Sequence, residues 1–198
     1  MKRKNLFFVS ALILFGLATV NSVKAEGNGN GNGNGGSSTQ STDQVTVNIK
    51  FKPVQSIVVN PVQKTVDLLY ASKGNYADGV SAIMNDHLEV FSTGGFIVTA
   101  NTGGDFTRAD GGSISAADVI LKATQGTGTS IGSFSDVSLS TTSKTLITAT
   151  AGGTALKYNV TYDNTTAGGS NNYINKYIHN DSPESVYTAT VTYTIATN

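Results

Sequence analysis

Residues 185–196 read Ser-Val-Tyr-Thr-Ala-Thr-Val-Thr-Tyr-Thr-Ile-Ala, and few backbone conformations suit that order. Tyr187, Ala189, Val191, Tyr193 and Ile195 fall on one side of an extended chain. Val186, Thr188, Thr190, Thr192 and Thr194 fall on the other. A period of two is the period of a strand, whose successive side chains point to opposite faces. Thr and Tyr suit a pleated, half-buried surface, so this stretch is expected to be a closing β-strand. A second alternation places Val45, Val47, Ile49 and Phe51 between Thr46, Asn48, Lys50 and Lys52, and predicts an opening strand over 45–51. Such strands can pair within their own chain or with a neighbouring copy.

Between these two, short apolar runs alternate with turn residues. Strands are expected at 55–59, 64–70, 119–123, 134–139, 144–151 and 156–162. Residues 87–92 and 95–101 read as a hairpin around Thr93-Gly94, or as one strand with a glycine bulge. The stretch 76–84 is poorly patterned and has room for one helical turn. Roughly nine to eleven short strands without a convincing helix predict an all-β fold, an antiparallel Greek-key sandwich, with a closed barrel as the alternative.

The first 25 residues do not read as part of that body. Lys2, Arg3 and Lys4 precede an apolar run from Leu6 to Val20, and Val23-Lys24-Ala25 supplies the small residues of a cleavage site. Residues 1–25 are expected to be a signal peptide, leading to the periplasm, the cell surface or the medium. Residues 26–43, beginning with a Gly-Asn repeat, are expected to be a tether, and 44–198 a single domain. Without the signal peptide, 13 basic residues fall to 9 against 13 acidic, a net charge of −4. That balance argues against nucleic acid as a partner. No membrane span is expected after cleavage. The chain has no cysteine, so the exported body must be held by its core alone.

Chemistry-bearing clusters are sparse. His87 and Glu89 share a strand face beside Asp86, but a metal needs a third ligand, and the other histidine, His179, is remote. These are expected to be a turn Asp and solvent-facing side chains of an edge strand. Asp105, Asp110 and Asp118, and later Asp163, Asn164, Asn171, Asn172 and Asp181, could offer oxygens to Ca²⁺, yet none matches the spaced calcium loop. They read more simply as turn residues. There is no Gly-x-Ser-x-Gly elbow, and no Gly-Gly pair opens a predicted helix as a phosphate cradle requires. The sequence therefore predicts no enzyme and no cofactor.

The closing Tyr187-Thr188-Ala189-Thr190-Val191-Thr192-Tyr193-Thr194-Ile195 and the opening Val45-Thr46-Val47-Asn48-Ile49 resemble the end strands of bacterial surface sandwich subunits. These are the spore-coat-U and fimbrial-pilin-like group and, more loosely, the WxL cell-wall domains. The chain lacks the disulfide that pilins often carry and the W-x-L motif itself. The resemblance implies a sandwich of Ig-like or pilin-like form, working as a structural or adhesive surface subunit that self-associates through edge strands. Val45, Val47, Ile49 and Phe51 would then be the inserted side chains of a donated strand. A glycan or host surface would be a further partner. The alternative is a secreted carbohydrate- or calcium-binding sandwich using the loops at 103–112 and 164–172.

Overall fold

The structure, a computed structural model, describes residues 41–129, 131–180 and 183–198. The expected signal peptide and most of the expected tether lie outside them. Strands β1 (Gln55–Val59), β2 (Ser81–Ser92) and β3 (Phe96–Thr102) open the fold. The short β4 (Phe106–Thr107) and β5 (Ser113–Ile114) form a ribbon of their own, and β6 (Ile120–Gln125) follows. Two-residue strands β7 (Ser133–Phe134) and β8 (Val137–Ser138) lead to β9 (Lys144–Ala149), β10 (Gly153–Asp163) and β11 (Val191–Thr197). Every pairing is antiparallel. One sheet runs β1-β2-β10-β6-β8 and the other β11-β3-β9-β7.

The sheets bury a common apolar core. Leu88, Val90, Leu121, Tyr158 and Val160 from the first sheet join Phe96, Val98, Ile147 and Ala149 from the second, all nearly or wholly inaccessible. Alternation produces this directly: β3 reads buried, intermediate, buried along its whole length. The fold is an all-β, antiparallel sandwich.

The expected hairpin at Thr93-Gly94 is not formed, because β2 and β3 lie in different sheets. Leu88 and Val90 on one strand and Phe96 and Val98 on the other must face each other across the core, which side-by-side pairing would forbid. The connection is instead a crossing, tied to the chain before β1 by Thr93 N–H to the Val54 carbonyl at 3.0 Å. The predicted strand over 134–139 is likewise split between sheets, as β7 and β8. Among the described residues every connection after β2 leaves its sheet except the one within the β4–β5 ribbon.

Residues 64–70 are not a strand. Val66, Leu68 and Tyr70 are half-buried while Thr65, Asp67 and Leu69 are exposed, so the alternation is present without a ladder. After them Ser72 caps the single helical turn α1 (Lys73–Asp78) in a capping box with Asn75. This turn packs near α2 (Thr165–Gly168) at one end of the body. There Asn164 is buried, takes the Tyr70 hydroxyl on its side-chain oxygen, and donates to the Asp118 carbonyl at 2.8 Å. Tyr173 donates to the Asp118 carboxylate at 2.7 Å.

Candidate functional site

The four sheet edges differ sharply. At one side the edges are β8 and β7, each two residues long, and short edges are a usual guard against unwanted pairing. At the other side the edges are β1, five residues, and β11, seven residues. Neither β1 nor β11 carries a charged residue or a proline.

Backbone direction along β11 follows from its hydrogen bonds. Thr188 N–H donates to the Thr107 carbonyl at 2.9 Å, and Asn198 N–H to the Gly95 carbonyl at 3.2 Å. The register between Val191 and Thr197 is unbroken, so the even-numbered residues spend their backbone groups on β3 and β4. The odd-numbered ones, Val191, Tyr193 and Ile195, turn their N–H and C=O groups outward. Among the described residues these outward groups have no ladder partner. The same holds for β1: Val54 and Asn60 bond toward β2, leaving Gln55, Ile57 and Val59 outward.

The side chains of those odd residues point inward but stay only half-buried. Tyr187, Ala189, Val191, Tyr193 and Ile195 are all intermediate, and Val186, Thr188, Thr190, Thr192 and Thr194 all exposed. Ile57 and Val59 of β1 pack on the same core at intermediate burial. The two long edges therefore flank a seam whose inner wall is apolar and incompletely covered. A shallow recess of about 320 Å³, lined by Gln55, Thr93, Gly95 and Thr197 among others, lies where the strands' ends meet.

Val45, Val47, Ile49 and Phe51 stand apart from any ladder. Their exposures run from 79% to 90%, and residues 41–54 contain no strand. The strand expected at 45–51 is thus absent among the described residues, because an alternating segment without a partner has no ladder to join. Its apolar face is presented to solvent.

Beneath β11 runs a buried polar chain. Gln63 donates through its side-chain nitrogen to the Asn85 carbonyl at 2.9 Å, which turns its Oε1 toward His87 Nδ1, also at 2.9 Å. His87 Nε2 lies 2.9 Å from the Tyr162 hydroxyl, and that hydroxyl lies 2.7 Å from Tyr193 on the opposite sheet. His87 is 1% exposed, contrary to the solvent-facing position expected for it. A bulge is the cause. Between Met84 and Leu88 strand β2 advances four residues while β10 advances two, from Val160 to Tyr158. Asp86 takes φ of +50° there and is held outside by the Thr127 N–H at 2.7 Å and hydroxyl at 2.5 Å. His87 is left to turn inward, while Glu89 stays exposed. Burial, with a smaller contribution from Lys64, holds the His87 imidazole down at about 4, and burial raises both tyrosine hydroxyls.

The acidic loop residues are dispersed. Asp105 caps the Ala116 N–H at 2.9 Å, Asp110 sits 3.8 Å from Arg108, and Asp118 receives Tyr173. Among the described residues no group of three or more His, Asp or Glu side chains is placed to hold a metal. No helix there is long and apolar enough to cross a membrane.

The seam escaped sequence reading because an open edge is a property of neighbours, although the lack of charge in 187–197 was a visible signal. No protein-family model matches the chain, and none of the curated proteins compared with it does.

Proposed function

We propose that the chain is an exported, non-enzymatic structural or adhesive subunit of a bacterial surface, joined copy to copy by β-strand donation. One observation carries the reading: an uncharged, apolar-walled seam with outward backbone groups coexists with a segment whose apolar face has no partner. An extended segment from a second copy would satisfy the outward groups of Val191, Tyr193 and Ile195 and finish burying their side chains. The segment 45–51 has the seven-residue length of β11 and alternates with the same period. Val45, Val47, Ile49 and Phe51 are its inserted side chains. The Gly/Asn-rich stretch 26–43 is the tether that lets them reach. Donor and acceptor are different surfaces, so the contact is head-to-tail and need not close at two copies. Export rests on the leader-like first 25 residues.

The test is the oligomeric state of the purified protein and of the double variant Val47→Asp/Ile49→Asp. Multimers that resist SDS without heating in the parent, and a folded monomer in the variant, support the reading. A parent that stays monomeric at every concentration, or a variant that assembles equally well, defeats it. A melting temperature raised by Ca²⁺ or by soluble glycans in a persistently monomeric parent would favour the binding-module alternative.

A further inference from the structure

We propose that the Gln63–His87–Tyr162–Tyr193 chain is an acid-sensitive latch that holds the edge strand β11 onto the sandwich. The inference concerns a device inside one copy and stands apart from how copies assemble.

The direction of the chain follows from its fixed end. Gln63 spends its side-chain N–H on Asn85, so it offers His87 an acceptor, and Nδ1 must carry a proton. In the neutral ring Nε2 is then an acceptor, which takes the Tyr162 O–H. The Tyr162 oxygen in turn takes the Tyr193 O–H. Each hydrogen has one acceptor and each acceptor one hydrogen.

Protonation of His87 breaks this sequence. Nε2 becomes a donor to the Tyr162 oxygen, and one hydroxyl hydrogen, of Tyr162 or of Tyr193, is left without an acceptor in a buried place. Among the described residues the new positive charge meets no compensating carboxylate. From the 3₁₀ turn Pro61–Gln63 come Gln63 and, next along, the cationic Lys64; from β10 and β11 come the two tyrosines. Just after β1 the Asn60 N–H donates to the His87 carbonyl at 2.8 Å. On β2 itself Asp86 is committed to Thr127, with Lys157 at 3.7 Å, and Glu89 is exposed.

Three strands contribute to the chain, and they are not equally held. β2 and β10 have a neighbour on both sides, whereas among the described residues β11 has β3 alone. Withdrawing Tyr193 with its strand is therefore the easiest way to admit water to the charged ring. Acid should loosen β11 before it loosens the sheet that carries His87.

Amide hydrogen exchange followed by mass spectrometry, corrected for intrinsic rates, tests this on the purified protein between pH 7.5 and pH 4. Protection over 190–197 is expected to fall about a hundredfold, taking a ring near 4 when closed and near 6.5 when open, while protection over β10 stays. His87→Gln should remove that pH dependence. The imidazole resonances of the parent give a readout without any variant: their midpoint, near 4, should mark the lower end of the interval over which β11 protection falls. Unchanged protection of β11, a loss shared equally with β10, or a ring titrating outside the interval where β11 opens would each overturn the latch.

Discussion

The hydroxyl of Tyr162 on β10 lies 2.7 Å from that of Tyr193 on β11, so a side-chain hydrogen bond joins the two sheets through the core. Both rings are oriented by residues far apart in sequence, and His87 packs edge-on against each. A polar contact in this place is stabilising only while every member is satisfied.

Its pH dependence has a definite sign. His87 is held near 4 in the fold against an ordinary value near 6.5, so its contribution is fully present above pH 6.5 and is lost as pH falls toward 4. The loss amounts to about 3 kcal/mol. Urea melts at pH 7.5, 5.5 and 4 should show it, and His87→Gln should flatten this interval. A parent equally stable at pH 7.5 and 4 contradicts it.

A second interval belongs to Asp163. Burial pushes its carboxyl up, but the 2.6 Å pair with Lys122 and two hydrogen bonds from Thr165 prevail and hold it at about 2. Its contribution is present above pH 3.8 and is lost as pH falls through 2. Asp163→Asn should cost about 2 kcal/mol at neutral pH and remove the slope below pH 4. An unchanged slope in the variant would show that other carboxylates carry it.

Glycines separate into two kinds. A methyl group on Gly168 would collide with the Tyr70 hydroxyl and the Asn164 side chain, breaking their contact. Gly168→Ala should lower stability by 2 kcal/mol or more, on the order of overpacking with a lost buried hydrogen bond. Gly103 has open space where a Cβ would go, and Gly103→Ala should stay within about 0.5 kcal/mol. Thermal melts of the pair decide; equal losses would mean the helical end is not tightly packed.

Core and segment should respond oppositely to truncation. Leu88→Ala removes a wholly buried side chain beside Val90 and should cost roughly 2–5 kcal/mol. Phe51→Ala and Ile49→Ala remove side chains 90% and 80% exposed and should leave the monomer within about 0.5 kcal/mol. Denaturant melts of monomeric protein check this. A large loss at Ile49 would mean that the segment already packs somewhere in its own chain.

Side-chain direction depends only on the two-residue period of an extended backbone, so residues 187–195 disclosed by themselves which members turn inward. The inward set of the closing strand and the all-strand character follow from that local rule. What lies beside a strand does not. Leu88 and Phe96 are eight positions apart with matching patterns, yet one belongs to each sheet, because their apolar faces oppose each other across the core. His87 turns inward because β10 reaches Tyr158 two residues sooner than β2 reaches Leu88, and no local pattern shows that difference. The open edge of β11 is likewise defined by which strand is missing beside it. Pairing is a long-range choice, and only the tertiary structure makes it.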